Sequence, residues 1–124
     1  MNIKTITLAV GDIVPALGQG TWYLGDDPAR RAQEVSALRT GMGAGMRLID
    51  TAEMYGDGRS EKLVGEAIAA APREELFLVS KVLPENAGEN HIFQCCDATM
   101  NRMGVDYLDL YLLHWRGSVP LAET

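Results

Sequence analysis

The stretch Arg47-Leu48-Ile49-Asp50-Thr51-Ala52-Glu53-Met54-Tyr55-Gly56 decides how the rest of the chain is read. An apolar run ends on a carboxylate, and a tyrosine follows five residues later. Two further runs end the same way, Phe77-Leu78-Val79-Ser80-Lys81 on an ammonium and Leu110-Tyr111-Leu112-Leu113-His114 on an imidazole. Each run is too short for a helix and is bounded by turn or capping residues, the pattern of a strand buried on both faces of a parallel sheet. Side chains alternate along a strand, so Leu48 shares a face with Asp50, Val79 with Lys81, and Leu112 with His114. If those faces line the inside of one closed sheet, Asp50, Lys81 and His114 emerge at its C-terminal mouth, where a β/α barrel keeps its chemistry.

Upstream of this stretch, Ile3, Ile6 and Leu8 alternate with polar residues and turn at Gly11-Asp12 before Ile13-Val14-Pro15, which predicts a small hairpin over residues 1–15. Ala16 to Trp22 is expected as a first barrel strand, rich in glycine, where something approaches the backbone closely. Asp27 is expected to cap a helix opening on Pro28, with Val35, Leu38 and Met42 at helical spacing and Gly43 or Gly45 at its end. Downstream, a second helix from about Ser60 and Glu61 presents Leu63, Val64, Ala67 and Ile68 on one face and stops before Pro72. A third, capped near Asn90, carries Ile92, Cys95, Cys96, Thr99, Met100 and Met103 and closes at Gly104. A strand-helix unit recurring about every 30 residues is the βαβ period of an α/β fold. The expectation is therefore the first four βα units of a TIM-type (β/α)8 barrel over residues 16–124, preceded by an N-terminal hairpin and stopping before helix 4.

With 47% hydrophobic and 23% charged residues, the 124-residue chain has the composition of an ordinary soluble domain. A net charge of −6 with no basic run argues against nucleic acid or an anionic membrane as partner and favours a small polar molecule. The opening residues lack a signal-peptide core, so the cytoplasm is the expected location. Cys95 and Cys96 are the only cysteines, adjacent and too few for a zinc site, and are read as reduced packing residues, with no metal expected. His91 reads as a surface residue, and Met46 and Met54 as packing. A sheet of four parallel strands leaves unpaired edges and uncovered apolar faces, which predicts self-association or poor solubility.

Asp50, Tyr55, Lys81 and His114 make the chemical constellation. Taken singly, Asp50 is an ordinary turn or cap residue, Lys81 a snorkelling side chain and His114 a satisfied core histidine. Their joint occurrence at three successive strand ends, with Tyr55 in the first loop, points to a site. A phenol holds its proton to about pH 10, so it needs a nearby cation to act as an acid at neutrality. Lys81 supplies that cation, Asp50 keeps it charged, and His114 adds a second donor to a developing oxyanion. Such a set polarises and protonates a carbonyl but carries no hydride, so a nicotinamide cofactor is implied.

Gly45 to Gly56, followed by Glu61-Lys62-Leu63-Val64-Gly65, resembles the first signature of the aldo/keto reductase family. Leu78-Val79-Ser80-Lys81 and Gly104 to Trp115 are similarly family-like, so the resemblance runs from about Gly18 to the end. It implies the N-terminal half of an eight-stranded β/α barrel that reduces aldehydes and ketones with NADPH, NADH being the alternative donor. By resemblance, Tyr55 is the general acid, Lys81 and Asp50 tune it, and His114 orients the carbonyl. Gly20-Thr21-Trp22 looks like the first cofactor-side loop, joined there by Asp50, with Trp22 and Trp115 walling the substrate pocket beside Tyr55 and His114. Two other functions are consistent with the same residues: a Schiff-base aldolase or lyase using Lys81 as nucleophile, and a non-catalytic fragment or interaction subunit. The tyrosine five residues after Asp50 favours the reductase.

Overall fold

The computed structural model describes residues 2–124; Met1, where the expected hairpin segment opens, lies outside the described residues. Strands β1 (Thr5–Thr7) and β2 (Ile13–Pro15) pair antiparallel, with Ile6 opposite Val14. Asp12, Ile13 and Pro15 share a recess with Arg47, Phe77 and Asp109, so the hairpin lies across the N-terminal ends of the main strands, opposite the mouth.

Those strands are β3 (Gln19–Gly20), β4 (Leu48–Asp50), β5 (Phe77–Val82) and β6 (Leu110–Leu113), and they form one parallel sheet in sequential order. Helices α1 (Arg31–Gly43), α2 (Arg59–Ile68) and α3 (Ile92–Met103) make the crossovers. The helices cover one face only. Ile49 and Leu78 point out of the sheet into a core shared with Val35 and Leu38 of α1, Leu63, Val64 and Ala67 of α2, and Met103 of α3. Each fully buried Leu or Ile there is worth about 1.5–3 kcal/mol relative to leaving it in water. The alternate residues Asp50, Val79, Lys81, Leu110 and Leu112 line the other face in the register that pairs Asp50 with Val79 and Lys81 with Leu112. That face is open, with Leu110 and Leu112 each 38% exposed.

Several local expectations are corrected. The first sheet strand is Gln19–Gly20, shorter than Ala16 to Trp22, because the chain turns at once: Leu24 N donates to Thr21 O at 3.0 Å. Asp27 does not cap α1; its Oδ1 accepts from Ala29 N at 2.9 Å, closing a separate turn, and the helix starts at Arg31. The first turn of α1 is instead tied down by Glu34, which is buried and accepts from Gly25 N at 2.7 Å. Helix α3 begins at Ile92 with His91 flanking it, one residue beyond the expected cap. Gly104 ends it with a φ of +67°, the left-handed conformation glycine adopts without steric cost.

One buried polar network holds this layer together. Glu61 of α2, fully buried, accepts from Ser80 Oγ of β5 at 2.7 Å, from Thr99 Oγ1 of α3 at 2.9 Å and from Arg102 Nε at 2.5 Å. Ser80 faces outward to this carboxylate, so its neighbour Lys81 faces inward.

Candidate active site

Strand β4 ends at Asp50, and the segment after it stays on β5: Thr51 N donates to Val79 O at 2.9 Å and Glu53 N to Lys81 O at 3.3 Å. Glu53 then accepts from Leu83 N at 2.6 Å and Asn86 Nδ2 at 3.1 Å, tying the β4 loop to the β5 loop. Next comes a 3₁₀ turn over Tyr55–Gly58, in which Gly56 and Asp57 take left-handed φ values of +58° and +52°. It sets the tyrosine back over the strand ends.

There Lys81 Nζ donates to Asp50 Oδ2 at 2.7 Å and to Thr51 O at 2.9 Å, and lies 3.4 Å from the Tyr55 hydroxyl. The lysine side chain is 14% exposed and the aspartate 35%, so the ion pair sits at the rim of the mouth, partly dried. His114 N donates to Val82 O at 3.0 Å, which continues the β5–β6 ladder to the histidine and turns its ring toward the tyrosine. The two rings meet edge-on with centroids 5.7 Å apart. Burial, then the Lys81 charge, lower the His114 pKa from its ordinary 6.5, so the imidazole is neutral at neutral pH. Its Nδ1 is buried without a hydrogen-bond partner, leaving Nε2 for anything in the cavity.

Trp22, Met54, Tyr55, His114 and Trp115 line a mostly apolar cavity of about 220 Å³. The Trp22 ring lies 6.3 Å from that of Tyr55 and near parallel to it, and Trp115 lies 4.8 Å from His114. The structure thus brings Asp50, Tyr55, Lys81, His114, Trp22 and Trp115 to one mouth. Met54, expected as packing, is instead 44% exposed on the cavity wall; its place next to the tyrosine in the 3₁₀ turn is the signal that could have found it. Glu53 carries no signal in the sequence, since a carboxylate whose partners lie 30 and 33 residues away has no local signature.

Gly20 and Thr21 sit differently. Thr21 is fully buried and its hydroxyl donates to Asp50 O at 2.9 Å, so its side chain braces the aspartate from behind. Gly20 pairs with Asp50 across β3 and β4, and a Cβ there would meet nothing within 4 Å. Protein packing does not require a glycine at that point. At Gly18, by contrast, a Cβ would lie 2.8 Å from Leu48 Cδ2, so that glycine serves the fold.

Among the described residues no group of three or more His, Cys, Asp or Glu side chains is placed to hold a metal ion, and no helix is long and apolar enough to cross a membrane. Cys95 and Cys96 are free thiols, and burial raises the pKa of both.

Residues 16–124 match the model of the aldo/keto reductase family. A methylglyoxal reductase of Escherichia coli is 56% identical over 115 residues, which are 92% of this chain and 40% of that protein. An aldo-keto reductase of Mycobacterium marinum is 44% identical over 116 residues, 92% of this chain and 38% of that one. Among solved structures, an aldo-keto reductase from Klebsiella pneumoniae in complex with NADPH superposes with a TM-score of 0.91 at 50% identity, covering 99% of this chain and 43% of that one. A silkworm aldo-keto reductase complexed with NADPH gives a TM-score of 0.79 at 32% identity, over 92% of this chain and 36% of that one. The chain therefore spans about two fifths of the length of these relatives.

Proposed function

The chain belongs to the aldo/keto reductase family of (β/α)8-barrel oxidoreductases, and from that premise we propose that Asp50, Tyr55, Lys81 and His114 are the proton-donating end of an NADPH-dependent carbonyl reductase. One observation carries the reading: the Lys81 ammonium bonds the Asp50 carboxylate and reaches the Tyr55 hydroxyl at 3.4 Å.

A carbonyl compound in the 220 Å³ cavity places its oxygen between the Tyr55 hydroxyl and His114 Nε2. Neutral His114 donates a hydrogen bond to that oxygen, while Tyr55 passes it a proton as negative charge builds. The phenolate left behind faces the Lys81 ammonium, and the low-dielectric rim strengthens that attraction. Asp50 holds the ammonium in place; Trp22, Met54 and Trp115 take the substituents of the carbonyl and keep water away. Gly20 and Asp50 flank the space for the nicotinamide end of NADPH, the cofactor of the Klebsiella pneumoniae and silkworm structures, which when bound supplies a hydride to the carbonyl carbon. A small aldehyde such as methylglyoxal, named in the Escherichia coli relative, is the first substrate to try. NADH is the second donor to assay.

Lys81 spends its protons on a carboxylate, a carbonyl and a phenol oxygen, which suits a donor and disfavours the Schiff-base nucleophile of an aldolase. The test is Tyr55→Phe, followed by NADPH oxidation with methylglyoxal. Loss of a positioned general acid is expected to slow turnover by about 10²–10⁴-fold. Turnover that survives the substitution removes Tyr55 as the acid. Borohydride trapping of Lys81 with a carbonyl compound would revive the lyase, and an inactive parent chain leaves the interaction-subunit reading in its place.

A further inference from the structure

Beside the cavity, outside its lining, stands one more aromatic side chain. Tyr23 is 65% exposed, and its ring stacks on Trp22 with centroids 4.5 Å apart and planes within 16°. Neighbouring side chains do not ordinarily face each other this way. Tyr23 occupies the third position of the turn closed by Leu24 N and Thr21 O, with a φ of +71°. A positive φ there is the mark of a type II turn, which favours glycine or asparagine, and a bulky residue adopts it at a cost. In this chain the costly conformation coincides with the ring being laid over the tryptophan. The Trp22 ring in turn lies near parallel to that of Tyr55, at 26° and 6.3 Å.

We propose that Tyr23 is a positioning residue for Trp22, holding the indole as a fixed wall of the cavity and so favouring carbonyl compounds with a flat apolar substituent. The specificity half rests on the reading of the cavity as a carbonyl pocket. Stacking on one indole face restricts the ring without occupying the cavity, so the ordering is done before the ligand arrives.

Tyr23→Gly removes the ring and relieves the φ; Tyr23→Phe keeps the ring. Both are made in a Trp115→Phe background, where Trp22 is the only emitting tryptophan. Acrylamide quenching reports access to the indole, and titration with 4-nitrobenzaldehyde reports binding against it. Tyr23→Gly is expected to raise the quenching constant and weaken 4-nitrobenzaldehyde binding by about 2–10-fold, the worth of one stacked aromatic pair, without lowering the melting temperature. Tyr23→Phe is expected to match the parent in both. Unchanged binding in Tyr23→Gly overturns the proposal even if quenching rises, and so does a Phe variant that behaves like the Gly variant. If the parent itself shows no saturable binding, the carbonyl-pocket reading falls and takes the specificity half with it; unchanged acrylamide quenching then overturns the hold on Trp22 as well.

Discussion

His114 shows what one position in the fold does to one side chain. Burial and the Lys81 charge lower its pKa below 6.5, so the unfolded chain takes up a proton before the folded one does. The stability tied to this neutral imidazole is full above about pH 6.5 and is lost as pH falls through the lowered folded value. His114→Gln removes that linkage. Urea titrations at pH 7 and pH 5 are expected to show a smaller loss of stability on acidification in the variant than in the parent; equal losses would place the acid sensitivity elsewhere. At this scale Asp50, Tyr55, Lys81 and His114 were legible because each is a polar group at or just past the end of an apolar strand. Glu61 was not. It reads as an ordinary first-turn helix carboxylate until Ser80, Thr99 and Arg102 are seen around it.

The elements are held by close approach as much as by apolar area. Glu61 joins α2, β5 and α3, and Glu61→Ala strips Arg102, Ser80 and Thr99 of their acceptor at once. Removing one partner of a buried pair costs about 3 kcal/mol or more, although Arg102 is 24% exposed and recovers part of that in water. Urea denaturation of the variant against the parent measures it. Four residues along α2, Gly65 lies against the end of α3, where an added Cβ would sit 2.8 Å from Arg102 O and 2.9 Å from Met103 O. Both neighbours are backbone and yield little. Gly65→Ala, despite its better helix propensity, is therefore expected to destabilise by about 1–3 kcal/mol and lower the melting temperature. A melting temperature equal to or above the parent's would show that the two helices separate freely. The helix faces of α1, α2 and α3 were readable from 3.6-residue spacing, whereas the start of α1 was not. Asp27-Pro28 is an equally good opening for a short turn, which Asp27 closes on Ala29 N, while Glu34 ties the first turn of the later-starting helix to Gly25 N.

For the molecule as a whole, β3 and β6 are the edges of the four-stranded sheet and its inner face carries half-open Leu110 and Leu112. Unpaired backbone along two parallel edges, with apolar surface between them, templates association. The 124-residue chain, at 13.5 kDa, is expected to show a light-scattering mass that rises with concentration; a constant monomer mass would rule this out. By itself the sequence determined the βα period, the parallel order of the strands and which polar residues end them, because strand alternation and helix spacing are local and periodic. Tertiary structure alone decided the rest: that Met54 faces the cavity while Thr21 turns inward, that Tyr23 folds onto Trp22, and that Glu53 and Glu61 clamp segments about 20 to 40 residues away. Those outcomes depend on a turn's φ and on which distant donors meet a buried acceptor, and neither quantity has a period that a linear reading detects.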